Sequence, residues 1–345
     1  MAAITRFGIV GLDHWYAAMP LAQQLAARSD TELVAISDSD VSRASELAQT
    51  TGMPRVSEDA LSVIEDPSID VIASFASVDQ NPGNCIEAAR NGKHIIAIKP
   101  LALTLQRASE VVLAVQDAGV VFLPSESRGR DSKVGKLLRS WVDTDRVGTI
   151  LSASFTVSAD LPQAWPGNDS PGWWADTSRS PGGGWVDHSI YDIDLLRWLL
   201  RDEVASVKGD VANLLHDNIP FEDFGHAVIR FEGGAIATIE DSWNSPGGWR
   251  STSTITGTKA SVNVDTLTGK ISILEGNNAV GGWAHLAMPG GAQKSVQIDA
   301  MLSAIRRPQS ASASVHDAWK NLAVCLAFYE SSASGLVVTP ERLAV

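Results

Sequence analysis

Cysteine is nearly absent from this sequence: Cys85 and Cys325 are its two, 240 positions apart. That excludes a disulfide framework or a cysteine-built metal cage and fits buried free thiols in a reducing compartment. Positive charge is scarce too, with 27 Lys and Arg against 40 Asp and Glu and a formal net charge of −13. Such a field repels phosphate backbones and anionic lipids, and no Lys/Arg run offers a local exception, so neither nucleic acid nor membrane is expected as a partner. No stretch approaches the ~18 uninterrupted apolar residues of a membrane span. The start, Met1-Ala2-Ala3-Ile4-Thr5-Arg6, runs into a strand pattern without the charged region or cleavage site of an export signal. A cytoplasmic protein is the expectation. Repeats are missing, and Ser310-Ala311-Ser312-Ala313-Ser314 is the low-complexity patch. Tyrosine is rare, with 3 residues, whereas tryptophan reaches 11, eight of them between Trp165 and Trp283.

What is present is a globular composition, 44% apolar and 19% charged, on 345 residues. That length exceeds what one core organises, so two domains are expected, 1–124 and 125–345. In the first, short β-branched runs (Arg6–Val10, Glu32–Ile36, Val71–Phe75, His94–Ile98, Val120–Leu123) alternate with helical stretches (Leu21–Arg28, Val41–Thr50, Asn84–Asn91, Thr104–Ala118). Continuous apolar strands separated by helices imply right-handed parallel crossovers, hence an α/β doubly wound parallel sheet of the Rossmann type. Gly92 and Gly119 stand where left-handed helix ends are wanted.

The second half reads as α+β with a mostly antiparallel open sheet. A helix near 134–144 and a strand near 150–157 precede a Pro/Gly/Trp-rich loop at 160–184 and a strongly patterned helix at 186–200. Strand-like segments then follow at 204–212, 224–231, 235–242, 251–256, 261–264, 271–274 and 295–298, before a last helix at 315–334. An apolar outer face on that sheet would predict isologous pairing.

Gly8-Ile9-Val10-Gly11-Leu12-Asp13-His14-Trp15-Tyr16 ends the first strand where a dinucleotide fold places its phosphate turn. Gly11 makes the tight turn, but Asp13 and Tyr16 replace the other two glycines. A carboxylate at contact distance from a pyrophosphate is repulsive by ~4 kcal/mol at intermediate dielectric. Asp13 must therefore be turned away, be paired or mark a lost site, and His14 is placed to offset it by donating to the phosphate. Pro20 removes a hydrogen bond from the first helix and is expected to kink it. Asp38, ending the second strand 22 residues after Tyr16, suits ribose hydroxyls and repels a 2′-phosphate, which favours NAD over NADP.

Lys99, in Gly92-Lys93-His94-Ile95-Ile96-Ala97-Ile98-Lys99-Pro100-Leu101-Ala102-Leu103-Thr104, ends an apolar strand over the crevice where open α/β sheets bind ligands. Its ammonium suits a developing alkoxide, with Pro100 fixing the turn that aims it, a candidate for a cis bond. These residues, with Trp173-Trp174-Ala175-Asp176 and the run Gly182-Gly183-Gly184-Trp185-Val186-Asp187-His188-Ser189-Ile190-Tyr191-Asp192-Ile193-Asp194, resemble the glucose-fructose oxidoreductase, inositol dehydrogenase and rhizopine catabolism (Gfo/Idh/MocA) family.

The resemblance implies an NAD(P)-dependent oxidoreductase that moves a hydride between nicotinamide and a secondary alcohol of a sugar or cyclitol. It assigns Lys99 as the catalytic lysine and Asp187 as the holder of a substrate hydroxyl. Tyr191 stands where many members have histidine, in the Ile-Tyr form that some members carry. Residues 187, 191, 194 and 198 share one helical face, so Tyr191 can exchange a proton with substrate while the charge of Lys99 favours phenolate. His188 is a competing base, with Asp192 one turn on to orient it. Gly11, Leu12, Asp13, His14, Asp38, Ser77, Asn81 and Lys99 are the cofactor-binding candidates. Arg128, Trp174, Trp185, Asp187 and His188 are the substrate-binding ones, the tryptophans because indole faces stack on sugar rings. No metal site is expected.

Three positions depart from the family: Ile98 replaces the glutamate before the lysine, Asn81 replaces a histidine, and the glycine fingerprint is incomplete. They keep two alternatives in view, a redox-neutral isomerase or glycosidase with retained NAD and a non-catalytic dinucleotide-binding sensor. A homodimer or homotetramer through the second-half sheet is expected.

Overall fold

A computed structural model describes residues 4–52, 55–276, 282–287 and 296–343. The chain forms two compact units, one of Met1–Arg128, Gln163–Pro181 and Gln293–Lys320, the other of Gly129–Pro162, Gly182–Ala292 and Asn321–Val345. The division after residue 124 was linear, whereas two later segments belong to the first unit. Trp15 Nε1 donates to the Gln163 carbonyl at 2.9 Å, and Arg28 pairs with Asp299 at 2.8 Å.

The first unit holds a six-stranded parallel sheet in the order β3-β2-β1-β4-β5-β6. The strands are β1 (Thr5–Val10), β2 (Thr31–Ser37), β3 (Arg55–Ser57), β4 (Val71–Ser74), β5 (His94–Ala97) and β6 (Phe122–Pro124). Between them run α1 (Trp15–Ala26), α2 (Val41–Thr51), α3 (Ala60–Ile64), α4 (Asn81–Arg90) and α5 (Leu105–Ala118). Strands β4 and β6 and the later parts of β1, β2 and β5 are buried on both faces, whereas β3 at the edge is half-buried, and Phe7, Ile9, Leu21, Leu25, Ile36 and Phe75 share one core. Asp40, Asp59 and Thr104 cap α2, α3 and α5 through their side chains, and Gly119 ends α5 in the left-handed conformation. Helix α1 starts six residues earlier than expected and runs through Pro20. That proline is exposed, so the helix carries it on its solvent side.

Helices α6 (Arg128–Asp131) and α7 (Lys133–Asp143) follow. The second unit is an eight-stranded sheet, β14-β13-β12-β11-β7-β10-β9-β8. Its strands are β7 (Ile150–Ser158), β8 (Val204–Ala212), β9 (Phe224–Phe231), β10 (Ile236–Ser242), β11 (Arg250–Gly257), β12 (Ala260–Asp265), β13 (Lys270–Glu275) and β14 (Ala284–Ala287). Among the described residues of this sheet only the β7–β10 pair is parallel. Helix α8 (Gly184–Leu200) packs on the inner face through Ile190, Ile193 and Leu196.

The outer face carries Thr238, Ser154, Thr254, Asn263 and Ser272 side by side in register, so this row is polar and the apolar condition for isologous pairing is not met along it. The strand expected at 295–298 is corrected: Val296–Arg306 form helix α9, with Ile298, Met301 and Leu302 in the first core, and Ser295 lies outside the described residues. Ser295-Val296-Gln297-Ile298 alternates polar and apolar, but four residues are too few to separate a strand's period from a helix's. Helix α10 (Val315–Ser334) ends the fold, and no helix among the described residues is long and apolar enough to cross a membrane. Met1, Ala2 and Ala3 lie outside the described residues.

Candidate active site

The dinucleotide turn follows β1. Gly11 has φ +75°, and a Cβ there would meet the Ala76 backbone at 2.6 Å, so only glycine serves. Leu12 N donates to Asp38 Oδ2 at 2.6 Å and Asp40 N to Asp38 Oδ1 at 2.8 Å, which ties the end of β2 to the turn. Burial pushes the Asp38 carboxyl above its ordinary pKa, opposed by those amides and by Arg43 at 3.2 Å.

Asp13 is paired, as its charge demands. Its carboxylate accepts from Ser77 N at 2.9 Å and lies 3.2 Å from Arg179 and 3.7 Å from Arg43. Arg179 also donates to Ser77 Oγ at 2.6 Å and reaches Asp79 at 3.3 Å. The two arginines do what was expected of His14, whose ring is instead buried among Trp173, Trp174 and Tyr16, centroids 4.7, 5.1 and 5.9 Å away. His14 gives α1 no side-chain cap, so the helix presents its N-terminal amides as helices do to phosphate. The turn, the uncapped helix start and Asp38 fit a dinucleotide, with Asp13 neutralised by Arg43 and Arg179.

Lys99 follows β5 and is 1% exposed. The Lys99–Pro100 bond is cis, and Asn81 Nδ2 donates to the Ile98 carbonyl at 3.2 Å and reaches that of Leu101 at 3.5 Å. Asn81 thereby holds the turn that carries the lysine. The ammonium lies 5.5 Å from the ring centroid of Trp174, which is stacked on Trp173 at 4.1 Å. A buried ammonium over an indole face is stabilised by the ring quadrupole.

Asp187, His188 and Tyr191 lie on the first two turns of α8, in the second unit. The start of α8 is fixed by Glu222, which accepts from Gly183 N at 3.0 Å, Trp185 N at 3.1 Å and Tyr329 OH at 2.7 Å. Burial pushes both the Glu222 and Tyr329 groups up from their ordinary pKa values. Trp243 Nε1 donates to Asp187 Oδ2 at 3.1 Å. The carboxylates beside His188 are Asp187 and Asp241, not the expected Asp192. Asp192 Oδ2 is buried without a hydrogen-bond partner among the described residues, and burial pushes its carboxyl up to about 8. Tyr191 is half-buried against the second core.

Trp185 is corrected. Its indole is 0% exposed and stacked on Phe328 at 3.6 Å, so its ring faces packing and not a substrate. Asp194, which shares the Asp187 face by spacing, is taken by Arg130 in a bidentate pair at 2.8 and 2.6 Å, with Asn321 donating at 2.9 Å. Arg128 is exposed at the end of the first unit. Sequence reasoning missed Arg43, Arg179 and Arg130, partners of the distant acids Asp13 and Asp194, and Asp241, which lies beside His188. Among the described residues no three His, Cys, Asp or Glu groups are placed to hold a metal.

The chain matches the oxidoreductase family with an NAD-binding Rossmann fold over residues 5–125, and the GFO/IDH/MocA C-terminal domain over residues 136–263. It is 31% identical over 243 residues to scyllo-inositol 2-dehydrogenase (NAD(+)) of Bacillus subtilis, covering 68% of this chain and 67% of that protein. It is 26% identical over 263 residues to myo-inositol 2-dehydrogenase of Thermotoga maritima, covering 75% of each. Levoglucosan dehydrogenase in complex with NADH and L-sorbose superposes with a TM-score of 0.87 at 22% identity, covering 99% of this chain and 100% of that one, a likeness of fold. With both halves matched, in order, this chain belongs to the Gfo/Idh/MocA family of oxidoreductases and carries its NAD-binding Rossmann domain.

Proposed function

We propose that this chain is an NAD-dependent dehydrogenase that moves a hydride between the nicotinamide and a secondary alcohol carbon of a sugar or cyclitol. The observation that carries the reading is Lys99, a lysine 1% exposed just beyond the carboxyl end of a parallel strand. Burying an ammonium is costly, and the cost is tolerated where the charge is used. Bound nicotinamide supplies the hydride acceptor or donor. Lys99 stabilises the alkoxide that develops as the hydroxyl loses its proton, Tyr191 takes or returns that proton, and Asp187 accepts a hydrogen bond from a substrate hydroxyl.

Asp38 receives the adenosine ribose hydroxyls and disfavours a 2′-phosphate, so NAD is preferred to NADP. Trp174 positions the lysine, and Arg128 and His188 are the further substrate contacts. Self-association as a homodimer or homotetramer through the second-unit sheet would pair rows of hydroxyls, and light scattering measures it.

The test is turnover of scyllo-inositol, myo-inositol and levoglucosan with NAD⁺ and NADP⁺. Activity with NAD⁺ that falls by about 10²–10⁴-fold in both Lys99→Ala and Tyr191→Phe is expected, the range for loss of a positioned acid or base. Tight NADH binding without turnover of any polyol or sugar would overturn it in favour of a sensor on the same fold.

A further inference from the structure

Two adjacent acids between β8 and β9 bear on Asp187 by separate routes. Glu222 is 6% exposed and Asp223 is completely buried. Gly183 has no side chain with which to cap α8, and Glu222 does so from 39 positions away. Its carboxylate accepts from Gly183 N and Trp185 N, and its carbonyl accepts from Gly184 N at 2.9 Å. Three successive amides at the helix start therefore end on one residue, where a carboxylate also meets the positive end of the helix dipole. Tyr329 OH, donating at 2.7 Å, anchors that carboxylate. The Asp187 amide then donates to the Gly183 carbonyl at 3.3 Å. Glu222 thus sets the main chain that carries Asp187.

Asp223 acts on the side chain. Its carboxylate accepts from Leu214 N at 2.8 Å and from Leu215 N and His216 N, both at 2.7 Å, and Asn244 Nδ2 donates to it at 3.3 Å. Burial opposes its charge, but these donors hold the carboxyl below its ordinary pKa. The Trp243 amide donates to the Asp223 carbonyl at 2.8 Å. His216 Nε2 lies 3.2 Å from the Trp243 carbonyl, which can only accept, so this nitrogen carries the proton. Asp223, His216 and Trp243 close a ring in which carboxylate, imidazole and main chain each hold the next. From that ring Trp243, 1% exposed, donates Nε1–H to Asp187 Oδ2 at 3.1 Å. An indole fixed in this way holds the carboxylate in one rotation and favours its ionised form.

We propose that Glu222 and Asp223 are positioning residues for Asp187, Glu222 setting its main chain and Asp223, through His216 and Trp243, the rotation of its carboxylate. That Asp187 receives a substrate hydroxyl rests on the dehydrogenase reading. The linkage from the two acids to Asp187 does not.

The linkage is tested by following the tryptophan indole N–H signals of the whole protein by NMR, with Trp243 assigned by its loss in Trp243→Phe. A proton bound to a carboxylate resonates downfield, so Asp187→Asn should move the Trp243 signal upfield. Glu222→Gln and Asp223→Asn are each expected to move it the same way and to speed its exchange with solvent. Tyr329→Phe for the first acid and His216→Phe for the second are milder variants that keep the test decisive where an acid variant does not fold. A Trp243 signal unmoved by Asp187→Asn, or unmoved by both variants on either route, overturns the proposal.

A second arm measures kcat and KM for scyllo-inositol with NAD⁺, well below the melting temperature of each variant. Glu222→Gln, Asp223→Asn and Trp243→Phe are expected to raise KM for the polyol and to lower kcat/KM by about tenfold or more, as misplacement of a substrate-holding group does. The Kd of NADH, whose phosphate turn lies in the first unit, should stay unchanged. Lower melting temperatures with kcat/KM unmoved would mean a purely structural part and overturn the proposal. If the wild type does not turn over scyllo-inositol, that counts against the dehydrogenase reading alone, and the NMR arm still decides this one.

Discussion

The phosphate turn of the first unit and the glycine-rich start of α8 in the second are both loops that lead into a helix, and they treat their glycines in opposite ways. At α8 all three of Gly182, Gly183 and Gly184 are kept. A Cβ on Gly183 would overlap the Glu222 carbonyl oxygen, and one on Gly182 would overlap the Tyr329 ring, so backbone and ring already fill the space. In the phosphate turn only Gly11 is under that constraint, against Ala76. Where Asp13 replaces glycine, two arginines answer its charge. A position limited by close packing admits no substitute, whereas one limited by electrostatics admits a new residue once partners are found.

Four variants test that contrast. The largest effect is expected at Arg130→Met, which leaves the buried Asp194 of α8 without its bidentate arginine, Asn321 still donating to it. Removing one partner of a buried pair costs about 3–5 kcal/mol, measured by urea unfolding.

Asp192 comes next. Its carboxyl, pushed by burial to about 8, is protonated when folded and ionised when unfolded at every pH between the two values. The folded state binds one proton more, so stability falls as pH rises from the ordinary carboxylate range toward about 8. Asp192→Asn should flatten that slope, which unfolding curves at pH 6 and 8 resolve. Gly183→Ala forces a methyl into a filled site and should cost about 1–3 kcal/mol by the same measurement.

The smallest effect belongs to the charge-limited turn. Asp13→Gly should leave stability nearly unchanged and free Arg43 and Arg179 for a phosphate. Calorimetry should show NADH binding about tenfold tighter, or about 1.4 kcal/mol, with a steeper loss on adding salt.

The same contrast explains what was legible in the sequence. Most strand and helix periods, the tight turn at Gly11 and the place of Lys99 beyond β5 follow from local spacing, and the structure keeps them, the segment at 295–298 excepted. The charges that neutralise Asp13 do not, because Arg43 and Arg179 lie 30 and 166 positions away. Asp241 was hidden for the same reason, since it meets His188 through the register of β10 against β7 and β9. Trp185 looked like a pocket residue because it follows three glycines. Those glycines bring α8 close against Glu222 and Tyr329, and Phe328, beside Tyr329, takes the indole face. His14 looked like a phosphate donor until the loop at 163–181 laid Trp173 and Trp174 against it.

The account turns on whether a turn carrying Asp13 still receives a dinucleotide. Calorimetric titration of protein freed of retained cofactor, with NADH and NADPH separately, tests this most directly. Micromolar binding of NADH, much weaker binding of NADPH, and loss of NADH affinity in Arg179→Ala are the predicted results. Failure of both nucleotides to bind the folded wild type would contradict the account and mean that Asp13 and Tyr16 have closed the site.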